Sequence, residues 1–276
     1  MNTSLQGRVL IVAGSDSGGG AGIQADIKSV TAMGGFAMTA VTAITVQNTL
    51  GVHGIHEVPV EIVRAQMKAV LADIGADAVK TGMLHSAAMV EAVAAKLGAH
   101  AEVPFLVVDP VMVAKGGASL LEGTAVAALK EVLIPLATLV TPNVPEAEAL
   151  TGRTITDLDG QKAAADALLG LGCDAVLVKG GHLEGATLFD VLATQETIEV
   201  FSSPRIDTRH THGTGCTLAS AVAALLAQGV ELSLAVETAR DYVHEAIRTA
   251  PGFGKGNGPL NFLAAFGDDE EPSRHE

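Results

Sequence analysis

The sequence predicts an α/β fold, with a central, mostly parallel sheet, helices on both of its faces and a small β lid. Three observations predict it. Short apolar runs alternate with Ala-rich segments of helical period along most of the chain. Apolar residues make up 48% of the 276 and charged residues only 17%, so much of the chain must be buried, as in a sheet covered on both faces. Polar and Gly-rich runs follow the ends of predicted strands, and right-handed crossovers gather such loops on one ligand-binding edge.

The elements follow in order. Residues 8–13 read as a strand, followed by a Gly-rich turn and a helix near 22–33. Residues 37–46 read as a strand or hairpin arm with a short partner at 54–58, and the segment 36–58, short of helical pattern, is read as the lid. Residues 60–73 are helical, 77–81 a strand, 87–97 a helix, 105–109 a strand, 123–133 a helix and 138–141 a strand. A helix at 160–169 leads to a strand at 175–179 and a hairpin at 188–193 and 198–201, and helices at 214–227 and 232–247 close the fold. No repeat or linker divides the chain, so residues 1–266 form one expected domain. The charged tail 267–276 lacks apolar periodicity and is expected to be disordered. Five loops, after Ala13, Thr81, Asp109, Thr141 and Lys179, converge on one edge.

Composition excludes several function classes. The net charge is −14, which disfavours generic binding to nucleic acid or an anionic membrane. Trp is absent and Tyr occurs once, so stacking platforms for single strands are not expected. The start lacks a secretory pattern, and the longest apolar runs fall well short of the ~20 residues of a membrane span. Two cysteines in unrelated settings, Cys173 and Cys216, fit a reducing cytoplasm and form no metal cluster.

The segment Thr211-His212-Gly213-Thr214-Gly215-Cys216-Thr217 precedes an apolar helix. Its glycines allow close backbone approach, and the amides of a helix start favour an anionic group such as a transferring phosphoryl. A plain helix start with turn and cap residues is the alternative. Cys216 in the first turn is expected to be acidified by the helix dipole and able to accept a hydroxyl proton, or else to be a small buried apolar residue. Cys173 reads as the latter.

Seven ordered motifs then carry a resemblance. They are the run from Gly14 to Asp26, Ala43-Ile44-Thr45-Val46-Gln47-Asn48-Thr49, Lys80-Thr81-Gly82-Met83-Leu84, Val108-Asp109-Pro110-Val111-Met112, Thr141-Pro142-Asn143-Val144-Pro145-Glu146-Ala147, Val178-Lys179-Gly180-Gly181-His182 and His212-Gly213-Thr214-Gly215-Cys216-Thr217. Together they span roughly residues 9–250 and resemble the hydroxymethylpyrimidine/phosphomethylpyrimidine kinases of the ribokinase superfamily. The resemblance implies a ribokinase-like homodimer that uses ATP and Mg²⁺. Its implied reaction is phosphorylation of 4-amino-5-hydroxymethyl-2-methylpyrimidine to the monophosphate and then the diphosphate, in thiamine biosynthesis.

It also implies roles. Gly14, Asp26, Gln47, Met83 and Val111 would surround the pyrimidine, with the Gln47 amide suited to an aminopyrimidine edge. Gln47 is otherwise a polar strand end, Met83 and Val111 core packing, and Asp26 an exposed helix residue paired with Lys28 or a nearby Arg. Asp109, which ends an apolar strand, and Glu146 would act on Mg²⁺. Asn143 and Glu146 form the N-x-x-E pattern of the superfamily, although Glu146 also suits a helix N-terminus. Lys179 would meet ATP phosphates. Gly213, Thr214, Gly215 and Cys216 would hold the reacting phosphoryl group. Lys115, in a Gly-rich run, either closes over phosphates or solvates a loop. The family commonly has Pro where this chain has Ser17, and sugar kinases of the superfamily have Asp where it has Cys216.

The principal alternative is a pyridoxal or pyridoxine kinase of the Cys-containing type, whose substrate also carries a hydroxymethyl group on a nitrogen heterocycle. A non-catalytic sensor is disfavoured because Asp109, Glu146, Lys179 and Cys216 are all present. A dinucleotide-binding dehydrogenase is disfavoured because the first glycine-rich loop lacks G-x-G-x-x-G in its required context.

Overall fold

The run Val9–Ala13 is apolar at every position and buried at every position, which is stable only in a strand covered on both faces. In a computed structural model, which describes residues 7–99, 103–113, 117, 120–121 and 123–266, that run is the middle of a nine-stranded sheet. Lys115 and the tail 267–276 lie outside the described residues.

The strands are β1 (Arg8–Asp16), β2 (Phe36–Asn48), β3 (Gly51–Glu57), β4 (Ala78–Thr81), β5 (Phe105–Val108), β6 (Leu139–Val140), β7 (Ala175–Lys179), β8 (Thr187–Thr194) and β9 (Ile198–Pro204). Their spatial order is β3-β2-β1-β4-β5-β6-β7-β8-β9. The strands from β2 through β7 in that order pair in parallel, while β3, β8 and β9 are antiparallel edges.

The helices are α1 (Gly22–Ala32), α2 (Val60–Asp73), α3 (Ala87–Gly98), α4 (Gly123–Ala128), α5 (Val144–Thr151), α6 (Leu158–Leu169), α7 (Thr214–Ala227) and α8 (Leu232–Arg248). One core lies under α2 to α6, where Met67, Met89, Leu133 and Leu168 meet Leu10 and Val12. The other lies under α1, α7 and α8, where Val30, Val222 and Val236 meet Ile11 and Leu177. Alternation along β1 thus sends Leu10 and Ile11 to opposite layers.

The segment expected as a lid is divided. From Phe36 to Val41, and again at Ile44 and Thr45 after a register shift, β2 pairs with β1 in the main sheet; from Ala43 onward it also pairs with β3, and only its end, from Val46 to Asn48, pairs with β3 alone. The helix expected over 123–133 is α-helical only to Ala128, then widens to a π turn, Leu129–Leu133, and ends in a 3-10 turn, Ile134–Leu136. Pro135, which lacks an N–H and crowds the preceding turn, accounts for that ending. Helix α5 has no counterpart among the elements read from periodicity, because eight residues hold barely two turns. It is made by a reciprocal capping box: Asn143 Oδ1 accepts from Glu146 N at 2.9 Å, and Glu146 Oε2 accepts from Asn143 N at 2.8 Å.

Candidate active site

The five strand-end loops all reach one cavity of about 180 Å³. Its base is the start of α7. Gly213 precedes that helix at φ 87°, and a Cβ there would lie 1.8 Å from Gly20 O, so only glycine fits. The first intrahelical bond runs from Thr217 N to Gly213 O at 2.9 Å, which leaves the amides of Thr214, Gly215 and Cys216 at the uncapped helix start. Gly215 sits close against an ion pair: a Cβ on it would lie 3.2 Å from Lys179 Nζ and 3.6 Å from Asp109 Oδ2.

That ion pair joins the ends of two strands. Lys179 Nζ, at the end of β7, donates to Asp109 Oδ1 at 3.2 Å, and Thr141 Oγ1 donates to the same oxygen at 3.3 Å. Asn143 and Glu146 complete this wall. Burial of Glu146, with the Asp109 charge nearby, pushes its carboxyl up to about 7 against the opposing pull of Lys179. Burial acting alone would lower the Lys179 pKa, but Asp109 and Glu146 outweigh it and raise it.

Gly14, Gln47, Met83 and Val111 also line the cavity. Met83 and Val111 pack with Ala43 and Leu120 in a small apolar cluster, so both residues pack and line at once. Gln47 Nε2 lies 3.2 Å from His212 Nε2, and Gln47 Oε1 lies 3.2 Å from Thr45 Oγ1. Ser17, where the family commonly has Pro, donates its hydroxyl to Gln47 O at 2.7 Å and accepts from Gln47 N at 2.9 Å, tying the first loop to β2.

Two expectations are corrected. Asp26 does not line the cavity, nor is it exposed or paired with Lys28. It is fully buried on α1, where its Oδ1 accepts from Lys80 Nζ and from Ser220 Oγ, each at 2.7 Å. Lys80 itself lines the cavity. Cys216 does line the cavity, but its thiol is not acidified: burial pushes it up to about 12, beyond the counter-effect of Lys80 and with Asp26 and Asp109 adding to the rise. The dipole of α7 is a partial charge, and desolvation beside two carboxylates exceeds it. Cys173 is buried and its thiol is raised to about 11, also by burial.

Lys80, His212, Asp16 and Thr45 are among the cavity residues to which the sequence pattern assigned no role. A signal existed for Lys80, a lone cation in an apolar strand, as for Lys179. Asp16 accepts from the backbone N–H of Gly18, Gly20 and Ala21 and contacts His212 at 2.9 Å. It is buried, and although burial opposes it, the His212 and amide contacts hold its carboxyl below the usual range. Among the described residues, no group of three or more His, Cys, Asp or Glu side chains is arranged to hold a metal ion.

Comparison with known proteins agrees with this geometry. The profile of the phosphomethylpyrimidine kinase family matches residues 16–261. The chain is 51% identical to the hydroxymethylpyrimidine/phosphomethylpyrimidine kinase of Bacillus subtilis, over 93% of this chain and 95% of that protein. It is 53% identical to the thiamine biosynthesis bifunctional protein of Geobacter sulfurreducens, over 95% of this chain, and spans about half (54%) of that longer relative. Among solved structures, phosphomethylpyrimidine kinase of Clostridium difficile 630 superposes with TM-score 0.78 at 42% identity, covering 87% of this chain and 99% of that one. An ADP complex of Bacillus subtilis pyridoxal kinase superposes with TM-score 0.88 at 38% identity, covering 94% and 98%.

Proposed function

The chain belongs to the phosphomethylpyrimidine kinase family and is a ribokinase-like kinase, and from that premise we propose that it uses ATP and Mg²⁺ to phosphorylate 4-amino-5-hydroxymethyl-2-methylpyrimidine to the monophosphate and then to the diphosphate. The observation that carries the reading is one cavity that joins an uncapped helix start, a lysine–carboxylate wall, a small apolar cluster and Gln47.

The amides of Thr214, Gly215 and Cys216 stabilise charge that develops on the transferring group. Lys179 exchanges its contact with Asp109 for a phosphate oxygen. Asp109 and Glu146 fit a hard divalent cation: both are oxygen donors on the cavity wall, and Glu146, raised by burial and further by the Asp109 charge, is a carboxyl whose ionised form such an ion would favour. When bound, Mg²⁺ would neutralise charge on the ATP phosphates. Gly14, Gln47, Met83 and Val111 hold the ring. Cys216 stands beside the attacking hydroxyl as a protonated thiol in the free chain; a loose transition state asks little of a base until late. Asp26 acts through Lys80 and does not touch the ring.

We place the chain in the cytoplasm as a homodimer. Ile44, Val46 and Leu50 of the β2–β3 ribbon are exposed apolar residues suited to a second copy. Sedimentation of the purified chain as a monomer would overturn the dimer.

The test of the reaction is mass analysis of products after incubation with ATP, Mg²⁺ and the pyrimidine. Monophosphate followed by diphosphate is expected, and unmodified substrate would overturn the proposal. A second reading, a pyridoxal kinase, draws on the likeness to the Bacillus subtilis pyridoxal kinase structure. Turnover of pyridoxal in preference to the pyrimidine would favour it.

A further inference from the structure

Gln47 is gripped between two groups whose hydrogens are already committed. His212 Nε2 lies 2.9 Å from Asp16 Oδ2 and 3.2 Å from Gln47 Nε2. Asp16 also accepts from Gly18 N at 2.7 Å, Gly20 N at 3.1 Å and Ala21 N at 2.8 Å, and three such donors favour the carboxylate. A carboxylate oxygen at 2.9 Å requires a hydrogen on His212 Nε2, whether the ring is neutral or charged. The other neutral tautomer would set a lone pair against that oxygen. An amide nitrogen of Gln47 at the same place therefore faces donor with donor.

The other end of the amide has the converse mismatch. Thr45 has one hydroxyl hydrogen, and Ser15 O takes it at 2.9 Å. Its oxygen can then only accept from Gln47, yet it faces Oε1 at 3.2 Å. A half-turn of the amide about its terminal bond exchanges oxygen and nitrogen without moving the side chain, so that Oε1 shares the His212 Nε2–H with Asp16 and Nε2 donates to Thr45, and both mismatches disappear together.

We propose that Asp16, His212 and Thr45 are positioning residues that lock the Gln47 amide with Oε1 toward His212 and Nε2 toward Thr45, and thereby dictate which way round a ring edge is read. The amide keeps one lone pair on the His212 side and one N–H on the Thr45 side. That order complements an exocyclic amine beside an unprotonated ring nitrogen in a single sense. A ring with an oxo group beside a ring N–H presents the reverse order and sets like against like. The inference deepens the pyrimidine reading of the cavity and rests on it for the identity of the ring, though not for the amide orientation.

Two measurements test it. In the isotopically labelled chain without substrate, the Gln47 side-chain amide protons are expected to show NOEs to the Thr45 methyl group. Cross-peaks to the His212 ring protons in their place would overturn the assignment. In kinetics, Thr45→Val is expected to raise KM for the 4-amino pyrimidine about 3- to 10-fold, with kcat and KM for ATP within about 2-fold, the scale of one neutral hydrogen bond. Thr45→Ser keeps the acceptor and is expected to restore KM. A fall in kcat at constant KM, or no rescue by Ser, would overturn the positioning role. Because the NOE needs no substrate, a chain inert toward the pyrimidine would sink the proposed function while the amide assignment is still decided.

Discussion

Two lysines of the sheet have similar surroundings and behave differently. Lys80 lies on β4 and Lys179 ends β7; each strand is otherwise largely apolar, each ammonium meets an aspartate, and each lines the same cavity. The Lys80–Asp26 side chains are both 0% exposed and 2.7 Å apart, with Ser220 on the same carboxylate oxygen. The Lys179–Asp109 pair is longer, 3.2 Å, and Lys179 keeps 14% of its side-chain surface. The first pair spans sheet and helix and is sealed; the second spans two strand ends and is open. Lys80 borders the cavity with no exposed surface and is held by its carboxylate, whereas Lys179, partly exposed, can trade its carboxylate for a phosphate. The difference is one of access, since the residue types are the same.

The largest expected effect breaks the sealed pair. Lys80→Met leaves Asp26 buried without its cation and is expected to cost about 3–5 kcal/mol of stability in chemical denaturation. Lys80→Met combined with Asp26→Leu is expected to recover most of that loss, because no uncompensated charge is left. A double variant no more stable than the single one would show that Asp26 does more than balance Lys80.

Breaking the open pair is expected to act on rate. Lys179→Met should lower kcat by about 10²–10³-fold, the scale of losing a preorganised charge partner at the transition state. Its stability should fall much less than that of Lys80→Met. Equal destabilisation by both lysine variants would erase the distinction drawn between the two pairs.

Cys216 lies between the two pairs electrostatically, since both Lys80 and the carboxylates act on its thiol. Cys216→Ala is expected to lower kcat by about 10²-fold while leaving ATP affinity intact in calorimetry. Because the thiol is raised to about 12, parent kcat should go on increasing with pH toward the alkaline limit, and the alanine variant should lose that rise. A variant that turns over at the parent rate would remove Cys216 from the mechanism.

The most gradual effect concerns the open wall alone. Glu146 titrates near 7 in the folded chain and near its ordinary 4.5 when unfolded. Between those values the folded state holds a proton that the unfolded state has released, so stability declines as pH rises from about 5 to 7 and is level above. The full decline is about 3 kcal/mol, and Glu146→Gln is expected to flatten it. A melting profile of the same slope in both forms would exclude Glu146 as its source.

Much of the site was legible because a charge at the end of an apolar strand has no packing reason to be there. Asp109 and Lys179 stood out on that ground, and the structure puts them in contact. Lys80 carried the same signal within a quoted motif. The Gly213–Cys216 segment was legible as a helix start with room for an anion, and α7 begins where that reading put it. Asp26 was not legible: its motif placed it near the ring, while its partners, 54 and 194 residues away, decide that it faces inward. Helix α5 was missed because its start rests on a capping box more than on periodicity.

By itself the sequence determined the order of strands and helices other than α5 and the residue types at the sheet edge, since local periodicity and strand-end polarity are written in adjacent positions. Only the tertiary structure decided which lysine is sealed and which is open, that Asp26 supports the cavity from behind, and that the Cys216 thiol is raised and not lowered. These depend on burial and on charges brought together from distant segments, and desolvation is a property of the packed molecule that no local run of residues contains.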